Sequence, residues 1–271
     1  MILESACISR PGLVRQNNED TLASRVPDDP AVLSNKGALF VVADGVGGMM
    51  AGEVASEAAV ESFVAEYYSP RAAHQVEAAL RQAAQAANLR VFNLAHGQRA
   101  EWHGMQTTLS ALALSGQTAY LAHVGDSRIY HWRDGALTQL TSDHSEAAEL
   151  LRLRLITAEQ ARDHPRRSVL TRTIGHQLLM RPDFSRAAVL PGDRFLLCTD
   201  GVWGELDTEH LRDALRLDPQ PACETLVEMV YERGAGDNVS LHVVHVVQPG
   251  EPLATPEQGR LARLFSSLRG G

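Results

Sequence analysis

The stretch FVVADGVGGMM (residues 40–50) drives an apolar strand into Asp44 and then into glycines. A lone Asp-Gly after a strand is an ordinary turn, but here the pattern recurs. FLLCTDGVWG (195–204) ends another apolar run on Asp200-Gly201, and HVGDSRIY (123–130) sets Asp126 between two strand-like runs. GAGDNVSLHVVHVV (234–247) is the mirror image, with Asp237 opening a strand. Carboxylates repeated at the ends of core strands imply a gathered acidic cluster. Hard oxygen ligands with no histidine or cysteine cluster beside them suit Mg2+ or Mn2+ rather than zinc. A glycine next to a ligand aspartate lets the backbone carbonyl approach the same ion. Two such ions about 4 Å apart can lower the pKa of a shared water and clamp a phosphoryl group for in-line attack. An arginine is then wanted for the phosphate oxygens, and GLVRQNNEDT offers Arg15 a few residues before Glu19-Asp20.

The elements that would position these residues are legible as strand-like segments near 3–9, 38–43, 107–114, 117–124, 127–132, 184–189, 193–199 and 239–247. HWRDGALTQL reads as a hairpin turned at Asp134-Gly135. Two long helical patterns lie between the second and third strands. GEVASEAAVESFVAEYY keeps Val54, Ala58, Phe63 and Tyr67 near one face, and AAHQVEAALRQAAQAANLRVFNLAHG is alanine-rich. A further helical region, SEAAELLRLRLITAEQARDH, follows Asp143 as its cap, and two more helices fit 207–217 and 220–233. Strands arrive in runs and helices in pairs, which predicts packed antiparallel sheets covered by helices rather than a βαβ repeat. The insertion VPDDPAVLSNKG (26–37) reads as a surface loop.

Bulk properties narrow the function classes. The chain has 271 residues, 44% hydrophobic and 21% charged, and a formal net charge of −8. Acidity argues against a nucleic-acid partner, which calls for a basic face. Lys36 is the only lysine, so arginine carries nearly all the positive charge. Cys7, Cys198 and Cys223 are odd in number and far apart, which suggests neither a disulfide framework nor a zinc site and fits a reducing compartment. MILESACISR lacks the pattern of a secretory signal, and no apolar run approaches the ~20 residues that span a bilayer. A soluble, cytoplasmic, monomeric protein is expected.

Eight short motifs occur in order: VRQNNED (14–20), DGVGG (44–48), GMQTT (104–108), HVGDSR (123–128), TSDHS (141–145), LTRTIG (170–175), LCTDGVW (197–203) and GDNVS (236–240). Each is weak alone. Together they resemble the bacterial metal-dependent protein serine/threonine phosphatases of the protein phosphatase 2C type, over about residues 4–247. The resemblance implies an α+β fold, an αββα sandwich with metals in a cleft at one end of two central sheets. It implies one catalytic domain over 4–247, with a flap at about 146–175 where substrate choice is tuned, and a linker and tail over 248–271. It also implies a metal pair flanked by Asp20 and Asp44, with Asp44 bridging and the Gly45 carbonyl completing one site. Asp200 and Asp237 hold the other ion, Asp126 shares a weaker third ion with Asp200, and Arg15 binds phosphate. The partners implied are phosphorylated proteins and a cognate Ser/Thr kinase.

The departures from the family pattern are specific. Val46 stands where many eukaryotic members carry a histidine proposed as general acid, Gln106 replaces a glycine, and Arg154 falls where the flap often has one. His144 is the remaining histidine near a motif, and its ordinary reading is a packed or capping residue. Glu19 either orders metal-bound water or is simply solvated. GRLARLFSSLRG, at the end of the chain, reads as a frayed tail, a helix packed on its own domain or a short amphipathic docking segment. Three other functions compete. A two-metal nuclease would want a basic groove. A haloacid-dehalogenase phosphatase would need a D-x-D pair after its first strand. A regulatory module could keep the fold and lose catalysis, although every expected ligand carboxylate is present.

Overall fold

A computed structural model of the protein describes residues 1–15, 17–46 and 51–251. Ten strands form two five-stranded antiparallel sheets. The first runs β1 (Ile2–Arg10), β10 (Val239–Gln248), β9 (Arg194–Cys198), β6 (Arg128–Arg133) and β7 (Ala136–Gln139). The second runs β2 (Asp20–Arg25), β3 (Ala38–Asp44), β4 (Leu109–Ser115), β5 (Thr118–Val124) and β8 (Asp183–Ala188). Between them lies a dry layer in which Phe40, Leu112 and Leu121 meet Ile129, Phe195, Leu197 and Val244. Strands buried on both faces lose the polar alternation, which is why β4 reads LSALALS with every residue buried.

Helices α2 (Gly52–Tyr67) and α3 (Val76–Ala95) cover the outer face of the second sheet, and their alanines let the layers approach closely. Helices α7 (Thr208–Ala214) and α8 (Pro219–Glu232) cover the first, with Leu211, Leu226 and Val230 against Leu196 and Val243. The result is the expected four-layer αββα sandwich. The hairpin at Asp134-Gly135 forms as read, with φ of 49° and 82°, the left-handed pair that a two-residue turn demands. Among the described residues no helix is long and apolar enough to cross a membrane.

Four local readings need correction. Segment 26–37 is not only loop: it contains helix α1 (Pro30–Lys36), opened by Asp29, whose carboxylate accepts from the Ala31 N–H, with proline at the helix start and Gly37 at its end. Strand β2 carries little apolar periodicity and was not anticipated. The helical region after Asp143 is two short helices, α4 (Glu146–Arg152) and α5 (Ala158–Arg162), separated by Arg154 at φ 58°. Ser145, not Asp143, caps α4, because Asp143 is held by Arg128 through three hydrogen bonds of 2.7–3.1 Å. The segment GRLARLFSSLRG and the glycines at 47 and 48 lie outside the described residues.

Candidate metal centre

Five chain segments deliver carboxylates to one end of the sandwich. Asp20 opens β2 and Asp44 closes β3, and the two are direct cross-strand partners, a register that sets Cβ atoms about 5 Å apart. Asp126 sits in the connection between β5 and β6, hence between the two sheets. Asp200 begins the single-turn helix α6 (Asp200–Trp203) directly after β9, and Asp237 precedes β10. Tight backbone packing holds these ends together. A Cβ on Gly201 would lie 2.0 Å from the Asn238 carbonyl oxygen, and one on Gly12 would lie 2.1 Å from that of Asp237. Gly45 is equally constrained, since a Cβ there would meet the carbonyl oxygens of Gly52 at 2.3 Å and Glu19 at 2.7 Å.

Hydroxyls and amides that the motifs contained, but whose roles were not read from sequence, fix the acids. The Asp44 N–H donates to Thr108 Oγ1 (2.9 Å), while its carbonyl accepts from Thr107 Oγ1 and the Thr108 N–H (both 2.8 Å). Thr199 Oγ1 donates to Asp20 Oδ2 (3.0 Å). Asn238 accepts from the Glu19 N–H and donates to the Asn17 carbonyl, tying the segment before Asp20 to the one after Asp237 (both 2.9 Å). Trp203 Nε1 donates to the Asp126 carbonyl (3.0 Å), and the Arg128 guanidinium stacks 3.5 Å over its indole. Small polar residues of this kind give no periodic signal, and only their neighbourhood to an aspartate marks them.

Electrostatics report the crowding. Burial, then repulsion from Asp20, Asp200, Asp126 and Asp237, drives the Asp44 carboxyl well above the ordinary carboxylate range. Burial and Asp200 do the same to Asp126. Burial and Asp237 raise Asp200, partly relieved by a hydrogen bond with Asp44. Burial pushes Asp20 up to about 7, and its Oδ1 atom is buried without a partner. Among the described residues no three His, Cys, Asp or Glu side chains are already drawn together as a metal-ligand group. An open set of hard oxygens, one of them orphaned and Asp44 repelled by the other four acids, fits Mg2+ or Mn2+, ions that keep several waters and need only a few carboxylates.

Arg15 reaches the same cluster. Its guanidinium donates to Asp237 Oδ2 at 2.7 Å and remains 41% exposed. Glu19 is half-buried, with its carboxyl against Gly52, 2.9 Å from where a Cβ would stand, and burial raises its pKa. His144 takes the packed role: Nδ1 accepts from the Gly125 N–H and Nε2 donates to Asp183 (both 3.1 Å), and burial lowers its pKa. With both ring nitrogens engaged inside the fold, His144 is not disposed to protonate a leaving group. Gln106 accepts from Thr173 Oγ1 (2.6 Å), so the side chain that replaces glycine ties the segment before β4 to the end of segment 146–175.

The sequence matches the protein phosphatase 2C family over residues 15–238. This chain belongs to the protein phosphatase 2C family. It is 32% identical over 246 residues to protein phosphatase PhpP of Streptococcus pneumoniae, covering 89% of this chain and 97% of that one. It is 34% identical over 249 residues to serine/threonine protein phosphatase PstP of Mycobacterium tuberculosis, covering 91% of this chain but only 46% of that longer protein. Among solved protein phosphatase 2C relatives, the catalytic domain of PstP in complex with two manganese ions superposes with a TM-score of 0.77 at 32% identity, covering 90% of this chain and 97% of that one. Stp1 of Staphylococcus aureus superposes at 0.82 with 27% identity, covering 90% and 95%.

Proposed function

We propose that this chain is a Mn2+- or Mg2+-dependent phosphomonoesterase that removes phosphate from phosphoserine and phosphothreonine in proteins. The observation that carries the reading is the convergence of Asp20, Asp44, Asp126, Asp200 and Asp237 from five segments, with Arg15 at their edge. In this reading Asp20, Asp44 and the Gly45 carbonyl hold one ion, Asp44, Asp200 and Asp237 hold its neighbour, and Asp126 with Asp200 holds a weaker third. Such ions, when bound, supply a Lewis acid for the phosphoryl group and lower the pKa of a water. The chain's own residues do the rest. Thr107 and Thr108 fix the Asp44 backbone, and Thr199 orients Asp20. Arg15 presents a planar fork suited to phosphate oxygens.

The reading assigns 4–247 to one catalytic domain and 146–175 to a flap. It is supported by α4 and α5, which lie within the segment that the bridge Ser145↔Leu170 closes, with the bridge Thr107↔Ile174 just beyond it. The natural counterpart is a Ser/Thr kinase that phosphorylates the same proteins. Three free cysteines suit a cytoplasmic setting.

Hydrolysis of para-nitrophenyl phosphate and of a phosphothreonine peptide with Mn2+, with and without chelator, tests the proposal. Both activities should require the ion, and Asp200→Asn should lower kcat by at least ~100-fold while the protein stays folded. Turnover that survives chelator, or near-normal Mn2+-dependent turnover in the variant, would sink the assignment.

A further inference from the structure

Beside the acidic cluster the surface changes sign. The end of segment 146–175 and the residues that follow it fold into a shallow recess with a cavity volume of about 230 Å3, and no residue lining it is acidic. Arg172, His176 and Arg181 supply its cationic and imidazole groups, Thr171 and Thr173 its hydroxyls, and Met180 part of its apolar floor. Arg172 is already paired with Asp183 at 2.7 Å. Arg181 is exposed, and among the described residues no carboxylate pairs with it. In a chain of net charge −8 this is a local reversal.

The recess is built rather than incidental. Asn88 on α3 is 3% exposed, and both ends of its amide are spent on this segment. Its Oδ1 accepts from the Gly175 N–H (2.9 Å), and its Nδ2 donates to the carbonyls of Gln177 (2.9 Å) and Leu178 (3.1 Å). Gly175 has φ 92°, and a Cβ there would lie 2.4 Å from Val91 Cγ1, so the turn closes only with glycine. The backbone next to Thr173, at the near edge of the recess, is also placed relative to the acidic cluster. Gly45 bridges Thr107, and Thr107 bridges Ile174. Two strand spacings of about 4.8 Å put Ile174 roughly 10 Å from Gly45. An extended peptide covers that span in about three residues.

We propose that this recess is a substrate subsite that takes an acidic side chain, a carboxylate two to four residues from the phosphorylated residue, with Arg181 as its main charge contact. The proposal rests on the phosphatase reading and adds to it a sequence preference: the enzyme favours phosphoproteins with acidic flanks.

The test uses phosphothreonine peptides in which Glu or Lys is scanned over two to four residues on each side, and para-nitrophenyl phosphate, which cannot reach the recess. Wild type should show kcat/KM roughly two- to fivefold higher for Glu than for Lys at the responsive position, the size of a solvent-exposed ion pair. The preference should fade as salt rises. Arg181→Glu should reverse it while leaving hydrolysis of para-nitrophenyl phosphate unchanged. Asn88→Ala should flatten it through loss of the recess's shape, with the Arg181 charge intact. Equal discrimination by wild type and Arg181→Glu overturns the proposal, and so does a change in Arg181→Glu that is the same for para-nitrophenyl phosphate as for the peptides. Fluorescence anisotropy with the labelled peptides reads the same preference without turnover. Absence of any wild-type hydrolysis would thus overturn the phosphatase reading while the peptide preference still decides the subsite.

Discussion

Asp20 is 8% exposed, with one carboxylate oxygen held by Thr199 and the other without a partner. Burial pushes its pKa from the ordinary 3.8 up to about 7. The folded chain therefore holds this proton more tightly than the unfolded chain does. Protonation favours folding at low pH, and the metal-free protein loses that contribution as pH rises from about 4 to about 7. Asp20→Asn keeps an acceptor for Thr199 and removes the titration. In chelator-treated protein the variant's Tm should exceed that of wild type by an amount that grows from pH 4 to pH 7 and then levels off. Each kcal/mol involved appears as roughly 2–4 °C. A gap that is constant with pH would show that Asp20 does not titrate in this window. Asp44, Asp126, Asp200 and Asp237 were legible in sequence because they end, separate or open apolar runs, whereas Asp20 came only from the family resemblance, since the strand it opens carries little apolar periodicity. Thr107, Thr199 and Asn238 were not legible, because a hydroxyl or amide acquires its role only when folding sets it beside an aspartate. Arg15 was legible as a nearby cation, but its contact with Asp237 joins residues 222 positions apart.

At the scale of elements, strands and long helices followed from periodicity, whereas short elements depended on signals of one or two residues. Helix α1 is specified by Asp29-Pro30 at one end and Gly37 at the other, a bracket that the polarity of segment 26–37 masked. Strand β2 earns its place by pairing with β3 from Asp20↔Asp44 to Arg25↔Leu39, a non-local partner that its own sequence does not announce. The flap shows the opposite case, a helical pattern running on through a position that ends a helix. Leu153 closes α4, and Arg154 then adopts φ 58° before Thr157 and Gln160 open α5 with a reciprocal capping box. A non-glycine residue in that conformation costs about 1–2 kcal/mol. Arg154→Gly should therefore slow amide hydrogen exchange in α4 and α5 by several-fold and leave hydrolysis of para-nitrophenyl phosphate unchanged. Faster exchange in the variant would mean that the arginine side chain, not the backbone, holds the flap together.

For the molecule as a whole, the acidic cluster lies across the joint between the two sheets. Asp20 and Asp44 belong to the second sheet, Asp200 and Asp237 adjoin β9 and β10 of the first, and Asp126 lies in the chain that crosses between them. Elsewhere the sheets are joined by the dry layer around Phe40 and Phe195 and by His242, whose buried ring donates to the Val41 carbonyl (3.1 Å). At the cluster they meet through mutually repelling carboxylates, so divalent cations bound there would tie both sheets together. Because the unfolded chain scatters these five residues over more than 200 positions of sequence, it would bind such ions poorly. Ions at about 100 times their Kd then stabilise the fold by about 2.7 kcal/mol, or roughly 5–10 °C in Tm at 2–4 °C per kcal/mol. The shift should appear in a single transition, because both sheets are clamped at once, and should grow with Mn2+ concentration. Asp126→Ala should retain most of it, since the central pair keeps Asp20, Asp44, Asp200 and Asp237, whereas Asp200→Asn should lose most of it. Thermal melts of the three proteins across a Mn2+ series decide the matter. A shift lost in Asp126→Ala would move Asp126 into the tight site. A wild-type Tm indifferent to Mn2+ would mean that the cluster does not take divalent ions.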